Sequence, residues 1–358
     1  MAWARCARCS PAPRGCWAPP IRAATVWHWR GERGRARTGP TGETMISVLI
    51  EKAVGAVALL VIVSLMAFGL SALSPRHPEV HRLGADAPES AVREVRHELG
   101  LDRPLAAQFV EWAGSAVRGD LGRSYVSDTS VAEEIAVRAP RTLSMVTLAI
   151  VIACALGLAL GVSSALARRP ATRRCLAVFT GLVQAVPGFW LGILLVTLFA
   201  LQLGWLPATG YVPASVSVPG WLQSILLPSI ALGLPSTAAI ARQLRGALAG
   251  ELGEDYVRNA VAQGFDRMHI VLRHALRNAM GPAVTIIGFQ VVVKLSTVVV
   301  VERVFAIDGL GTLALDAVFR GDTPVLLGCV MTFALIVVVV NLFVDLAYTW
   351  INPRTRAA

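Results

Sequence analysis

The pattern of apolar and polar positions divides the chain into long hydrophobic runs separated by polar segments. Six runs of roughly 20 or more residues lie at about 46–73, 143–167, 176–203, 221–241, 283–301 and 325–350. A helix that crosses the hydrocarbon core of a bilayer needs roughly 20 apolar residues at a rise of about 1.5 Å each. The pattern therefore predicts an all-α membrane protein with six transmembrane helices.

The first hydrophobic run, at 45–73, is separated from the other five by a long polar segment at 74–140. Within this segment Val92, Val95 and Leu99 recur at helical spacing, which predicts a short amphipathic helix outside the bilayer. The remaining five runs, within 141–350, are expected to form the membrane core.

A second polar segment interrupts this core between its fourth and fifth runs. In residues 254–285, charged and apolar side chains recur at helical spacing. Gly264 is expected to break the segment in the middle and Pro282 to end it. Because a simple linker between two membrane helices could be shorter and need not be amphipathic, we expect the loop at 242–282 to contact another protein.

Arginine is concentrated in the loops of one side. The loop at 168–174 contains four arginines and the stretch at 242–277 contains six, whereas the loop at 204–220 contains none. Basic residues in short loops mark the cytoplasmic side of a membrane protein. We therefore predict that both termini and the stretch at 242–277 are cytoplasmic, and that 74–140, 204–220 and 302–323 are extracytoplasmic.

The net charge of +10 does not indicate a nucleic-acid-binding protein. Residues 1–44 hold eight arginines against two glutamates, a balance of +6, and show no apolar periodicity. We interpret them as a disordered tail or as an over-long start with initiation at Met45, and 351–358 as a short cytoplasmic tail. The other basic residues lie beside hydrophobic runs, and the mean hydropathy of +0.60 with 55% hydrophobic residues favours a membrane protein.

The sequence contains no motif for catalysis on this chain. The patterns GxxxxGK[ST], HExxH and GxSxG are absent. Cys6 and Cys9 have the spacing of half a zinc site, but no second pair follows. We therefore predict no enzyme activity, no cofactor and no metal, so the energy for any pumping must come from a partner or an ion gradient.

One charge lies deep inside an apolar run, in the sequence FQVVVKLSTVVVVE. It is Lys294, and an ionisable residue within a membrane is costly and is a functional candidate. Lys294, Ser296 and Thr297 are therefore candidates for a translocation path, although the ammonium could instead hydrogen-bond inside the bundle. Asp345 lies near the cytoplasmic end of the last run, and Glu302 is expected to be solvated or to cap a helix.

Several short motifs occur in a fixed order along the chain. They are LGLDRPL at 99–105, RGDLGRSY at 118–125, VPGFWLG at 186–192, GWLPATG at 204–210, DYVR through glycine at 255–264, RHALRNA at 273–279, VERVF at 301–305, GLG at 309–311 and NPR at 352–354. In these segments the chain resembles the permease subunit of bacterial ABC importers of the dipeptide, oligopeptide and nickel class. The resemblance spans residues 45–354 and implies the type I permease fold of ABC importers in a bacterial inner membrane.

The resemblance also implies a site. Residues 259–264 correspond to the EAA motif of that family, a short coupling helix that docks on a cytoplasmic ATPase. The residues implied for ATPase coupling are Asp255, Tyr256, Val257, Arg258, Asn259, Ala260, Gln263, Gly264 and Phe265. The apolar members of this set could fill a pocket on the partner, and the arginines could pair with carboxylates at its rim.

The implied assembly contains several partners in a lipid bilayer. They are a second permease subunit, two ATPase subunits that hydrolyse ATP, and an extracytoplasmic solute-binding protein that delivers peptides or a similar small solute. The residues leave open an alternative, an ion-coupled secondary transporter that uses Lys294 or Asp345 and works without an ATPase.

Overall fold

The computed structural model describes residues 45–73, 78–84 and 86–351. The interpretations of 1–44, of 74–77 and of the tail at 352–358 lie outside these residues. The helices of the described chain are α1 (Met45–Ala72), α2 (Pro78–Leu83), α3 (Glu89–Glu98), α4 (Leu105–Val117), α5 (Val131–Leu166), α6 (Pro170–Ala185), α7 (Gly188–Leu195), α8 (Val218–Glu251), α9 (Asp255–Ala262), α10 (Arg267–Ile270), α11 (Leu276–Val304), α12 (Leu310–Arg320) and α13 (Thr323–Ile351). Two π-helical segments, Val196–Gln202 and Val271–Ala275, extend α7 and connect α10 to α11.

Among the described residues, five helices are long and apolar enough to cross a membrane, and α6 with α7 forms a bent pair that could make a sixth span. The two members of the pair meet at 91°. The hydrophobic run at 176–203 therefore lies in a bent pair of helices, and its apolar composition gives no sign of the bend. Pro187 explains the break, because a proline disfavours helical backbone angles at the residue before it, and Val186 has the extended values φ −80° and ψ 121°.

Several helices extend beyond the hydrophobic runs that predict them. Helix α5 begins at Val131, within the segment expected to lie outside the bilayer, and α8 continues to Glu251. We call the polar segment at 254–285 the coupling segment. Pro282 lies inside α11, so the prediction that Pro282 ends this segment is wrong. Hydropathy measures only the apolar part of a helix, whereas the hydrogen-bonded helix continues into water at both ends.

The core of the bundle is built on the contact between α5 and α8. A Cβ atom added at Gly233 of α8 would overlap the carbonyl oxygen of Ala149 of α5, and one added at Gly157 would lie 2.8 Å from the Ile240 Cβ atom. Small residues let membrane helices approach until their backbones touch, which strengthens dispersion contacts in a medium without a hydrophobic driving force. Around this contact the buried side chains include Met145, Val146, Ile225, Leu227, Leu232, Leu295 and Phe305.

A buried carboxylate connects three helices at the end of α11 that leads to α12. Glu302 is fully buried, its Oε1 accepts a hydrogen bond of 2.5 Å from the Thr142 hydroxyl, and its Oε2 accepts one of 2.7 Å from the Thr312 amide. The Thr142 hydroxyl accepts a hydrogen bond of 2.8 Å from the Leu310 amide. Of the two roles predicted for Glu302, solvation is wrong and capping is confirmed, because the carboxylate is buried and binds the first turn of α12, whose amides lack helical partners and favour a negative charge.

A second buried carboxylate attaches the segment before α5 to the start of α13. Asp322 accepts hydrogen bonds from the Ser124 hydroxyl at 2.5 Å and from the Tyr125 amide at 3.1 Å. Burial raises the pKa of Asp322 above its ordinary value, against the opposing effect of these hydrogen bonds. The segment before α5 thus packs on the bundle through a contact that contains a titratable group, the Asp322 carboxyl.

The other described residues of the segment at 74–140 include three short helices, α2, α3 and α4. The prediction of a helix at Val92–Leu99 is confirmed by α3. Arg96 of α3 pairs with Asp102 at 3.2 Å and lies 3.6 Å from the Glu79 carboxylate, and Phe109 of α4 packs on Phe68 of α1 with 5.4 Å between ring centroids. These contacts hold the segment against the end of α1.

We expect that Gly233→Ala destabilises the protein by roughly 1–3 kcal/mol, the usual cost of overpacking. The added methyl group meets a backbone oxygen of α5, which cannot move without shifting the helix. Thermal unfolding of the purified chain in detergent measures the effect. The matched control is Gly246→Ala in the same helix, where an added Cβ meets nothing within 4 Å; equal stability of the two variants would contradict this view of the contact.

We expect Asp322 to make the folded protein more stable on acidification. Because the folded-state pKa of Asp322 is raised, the folded protein binds more protons than the unfolded chain between the ordinary aspartate pKa, about 3.9, and the raised value. Stability therefore rises as pH falls through that window and is lost as pH rises through it. The measurement is the melting temperature of the wild type and of Asp322→Asn as a function of pH. The melting temperature of the wild type relative to the variant should rise as pH falls through this window. A difference that does not change with pH would refute this expectation.

Candidate functional site

The polar segment between α8 and α11 folds as a helix, a tight turn and a second helix start. Helix α9 ends in a Schellman motif, in which the Phe265 amide donates to the Ala260 carbonyl at 3.2 Å and the Gly264 amide donates to the Val261 carbonyl at 3.0 Å. Gly264 has φ +85°, a value that suits glycine because other residues place a Cβ against the backbone there. The predicted break at Gly264 is confirmed.

The next helix begins directly after this turn. The Asp266 carboxylate accepts a hydrogen bond of 3.0 Å from the Met268 amide and so caps the new helix. From Arg267 the chain continues through the π-helical segment into α11, and residues 268–304 form one continuous helix. The stretch outside long helices is therefore 252–266, much shorter than the loop expected at 242–282.

Helix α9 is tied to both membrane helices that flank it. The Tyr256 hydroxyl donates a hydrogen bond of 2.7 Å to the Glu251 carboxylate at the end of α8. The side-chain Nδ2 of Asn278, on α11, donates to the same carboxylate at 3.2 Å. Partial burial and the bond to Glu251 raise the pKa of Tyr256 above its ordinary value, so the phenol stays protonated at neutral pH. Val257 packs against the protein and is buried.

Glu251 and Asn278 are not among the residues predicted for ATPase coupling. Glu251 lies five residues before Tyr256, and Asn278 lies on the far side of the turn, so no helical spacing connects them. Only the fold, which brings the end of α8 beside the start of α11, places both at Tyr256.

Several large apolar side chains of this segment stay exposed. Phe265 is 50% exposed and Val261 is 56% exposed, although both occur in an amphipathic pattern that predicts burial. The exposed apolar residues, which we call the coupling face, are Tyr256, Val261, Phe265, Met268 and Leu272. The Phe265 ring stacks on His269 with 5.9 Å between centroids, which holds it in place. Exposed apolar side chains grouped within about 17 residues are typical of sites that contact a protein or a membrane.

The remaining coupling residues of the prediction lie on the water-exposed side of α9. Arg258 forms an ion pair of 3.3 Å with Asp255, and both side chains are exposed. Asn259 and Gln263 are exposed, and Ala260 is half-buried beneath them. All nine predicted coupling residues thus lie together in α9 and its C-terminal turn.

The three candidates for a translocation path are not all on one side of α11. Lys294 is buried in the bundle, whereas Ser296 and Thr297 are exposed. The Ser296 hydroxyl donates to the Val292 carbonyl at 3.3 Å and the Thr297 hydroxyl to the Val293 carbonyl at 3.1 Å, so both hydroxyls bond to their own helix. At 100° per residue, Thr297 neighbours Lys294 on the helix surface while Ser296 lies on another side.

Polar groups around Lys294 come from the adjoining turn. Gln290, one turn before Lys294, is buried and accepts a hydrogen bond of 2.7 Å from the Ser236 hydroxyl of α8. Asp345, the other charge considered, forms an ion pair with Lys52 of α1. No group of three or more His, Cys, Asp or Glu side chains within the described ranges is placed to hold a metal ion.

Two family models match the chain. The model described as binding-protein-dependent transport system inner membrane component matches residues 157–357, and a model for the N-terminal part of such membrane components matches residues 45–146. The first match includes the whole coupling segment.

Similar curated proteins match along most of their lengths. A protein named as a probable peptide ABC transporter permease, y4tP of Sinorhizobium fredii (strain NBRC 101917 / NGR234), is 35% identical over 308 residues, which are 86% of this chain and 98% of that protein. The glutathione transport system permease protein GsiC of Escherichia coli (strain K12) is 38% identical over 312 residues, covering 87% of this chain and 99% of that protein.

A solved structure of the MetNI methionine ABC transporter in inward-facing conformations has a similar fold. Its TM-score is 0.50 at 17% sequence identity, and the match covers 61% of this chain and 96% of that chain. This likeness confirms the permease fold that the sequence motifs imply. The chain belongs to the family of inner-membrane components of binding-protein-dependent transport systems.

Proposed function

We propose that this chain is a permease subunit of an ATP-driven ABC importer that forms the translocation path for peptides or a similar small solute. The names of its relatives support the substrate class, since they are permeases for peptides and for glutathione. The observation that carries the mechanism is the coupling face, a set of large apolar side chains left exposed on α9, on its C-terminal turn and at the start of the helix that follows.

The coupling face suits a cytoplasmic ATPase subunit as its partner. Truncating a buried aromatic or large apolar anchor typically costs the most binding energy in protein interfaces, and Phe265 with Val261 supplies such anchors. Arg258 and Arg273 lie exposed beside them and can pair with carboxylates at the rim of a partner pocket. Because this chain has no phosphate-binding loop, the ATP would be hydrolysed on two separate ATPase subunits.

Movement of the ATPase would reach the membrane through the hydrogen bonds at Tyr256. A displacement of α9 pulls on Glu251 of α8 and, through Asn278, on α11. Helix α8 is packed tightly against α5, so the displacement moves both helices together. The two ends of the translocation path would then open in turn as the spans tilt.

The orientation follows from the same arrangement. With the coupling face on the cytoplasmic side, both termini are cytoplasmic and the segment before α5 is extracytoplasmic. On the extracytoplasmic side, the hydrogen bonds of Glu302 and Asp322 hold α12 and the segment before α5 on the bundle. We call α12 and this segment together the platform. We propose that this platform receives the solute-binding protein and that a second permease subunit completes the path.

We further propose that Lys294 and Thr297 act together in the translocation path. Thr297 is exposed on α11, and the buried ammonium of Lys294 lies beside it, where a favourable partner would be a carboxylate of the solute. Ser296 lies on another side of the helix, and its part in the path stays a prediction that the same assay tests.

The ion-coupled alternative finds no support. The family consists of components that depend on a binding protein. Asp345, one of its two candidate ion sites, is paired with Lys52 at the surface of the bundle.

We expect that Phe265→Ala weakens the affinity of the permease for its ATPase about 30-fold, which corresponds to about 2 kcal/mol for a central anchor. Gly264→Val should have a comparable effect by straining the turn at φ +85°, a cost of about 1–2 kcal/mol. The measurement is the dissociation constant of ATPase and permease in lipid nanodiscs. Trp205→Ala is the control, since Trp205 is 67% exposed in the loop between α7 and α8; unchanged affinity for Phe265→Ala would overturn the assignment.

We expect that Lys294→Met and Thr297→Val each reduce solute uptake by at least tenfold, the effect of losing about 1.4 kcal/mol of interaction with the solute. ATPase association should stay unchanged, because both residues lie far along α11 from the coupling face. Uptake into vesicles with the complete complex measures this, with Ser296→Ala in parallel. Normal uptake by both variants would remove them from the path.

A further inference from the structure

Helix α1 leaves a cleft between itself and α13. The cleft has a volume of about 440 Å³ and is lined by Gly55, Ala56 and Leu59 of α1 and by Val338 and Leu342 of α13, with an ion pair at one end. A volume of this size is within the range of ligand-binding pockets. Small residues at Gly55 and Ala56 create the space on the α1 side.

A second cleft lies beside the first, farther along α1. It has a volume of about 410 Å³ between α1, α11 and α13, and its lining includes Leu59, Val63, Val299 and Phe333. Leu59 lines both clefts, so they adjoin along one side of α1. The helices that line both clefts are long and apolar enough to span a bilayer. In the most apolar 18-residue stretch of α1, only 11% of the residues are buried inside the protein.

The length of the combined cleft matches one leaflet. From Lys52 to Val63 the helix rises by about 16 Å at 1.5 Å per residue. Half of a hydrocarbon core of about 30 Å is about 15 Å. An extended acyl chain from one leaflet therefore matches the length of the cleft.

The ion pair at the mouth carries both signs of charge. Lys52 and Asp345 contact one another, and their side chains are 44% and 46% exposed. An ammonium has three donors and a carboxylate has several acceptor sites, so each can bind a further group. A headgroup with a phosphate and a primary amine matches this pair, with the phosphate on Lys52 and the amine on Asp345.

The mouth lies at the end of the bundle that carries the coupling segment. A Cβ atom added at Gly281, near the start of α11, would lie 3.2 Å from the Tyr348 ring, and Tyr348 is one turn from Asp345. The headgroup would therefore be in the leaflet on that side, which is the cytoplasmic leaflet in the proposed orientation.

We propose that a phospholipid with a zwitterionic, amine-bearing headgroup binds in this cleft, with one acyl chain between α1 and α13 and its headgroup on Lys52 and Asp345. The lipid fills space that the chain by itself leaves open and so fixes the distance of α1 from the bundle. The proposal concerns a face of the protein separate from the coupling face, and its test does not depend on transport.

Native mass spectrometry of the complete transporter, extracted from membranes that contain phosphatidylethanolamine and phosphatidylglycerol, tests the site. The wild type should retain phosphatidylethanolamine, and Gly55→Phe should lower its occupancy at least tenfold by filling the cleft. Gly69→Phe in the same helix is the matched control, since an added Cβ meets nothing within 4 Å at either glycine. Retention of phosphatidylglycerol instead, no retained lipid, or equal loss in both variants would overturn the proposal.

A measurement on the unmodified chain removes any dependence on folding of the variants. Phosphatidylethanolamine with a photoactivatable group in its acyl chain should label Leu59, Val338 and Leu342 above the other lipid-facing residues. Even labelling of all exposed helices would refute a defined site. Protection of these residues that appears only when the second permease subunit is present, without lipid labelling, would assign the cleft to that subunit and also refute the proposal.

Discussion

The close approach of α5 and α8 is the constraint on which the rest of the structure depends. Gly233 and Gly157 let the two backbones touch, and no side chain could be added there without separating the helices. In a bilayer, where lipid is as apolar as leucine, such contacts rather than hydrophobic burial hold helices together. Because α8 also carries Glu251 at its end, the same contact that stabilises the core connects the coupling segment to the middle of the membrane.

Three hydrogen-bonded carboxylates lie at helix ends. Glu302 and Asp322 are buried, and they bind the first turn of α12 and the segment before α5. Glu251 is half-buried and joins the end of α8 to Tyr256 and Asn278. The hydrogen bonds that each carboxylate accepts offset the cost of removing it from water.

Much of the fold follows from the sequence, because hydropathy and arginine distribution depend on the bilayer rather than on the neighbouring helices. The hydrophobic runs at 46–73, 221–241 and 325–350 each lie within one described helix, apart from the last residue of the first run. Hydropathy does not predict the bend at Pro187, because the apolar composition continues through it. For the coupling site, Gly264 was identifiable because its positive φ angle leaves a local signature, whereas Glu251 and Asn278 were not, since they meet Tyr256 only across the fold.

By itself the sequence determined the class of protein, the approximate positions of its membrane-spanning helices, and the break at Gly264 between α8 and α11. These features rest on local composition, on the periodicity of single helices and on motifs of fixed order. Only the tertiary structure decided that Glu302 and Lys294 are buried and that Phe265 and Val261 stay exposed. The reason is physical: an amphipathic pattern shows that a face will be covered, but whether this chain, a lipid or another subunit covers it depends on how the helices pack.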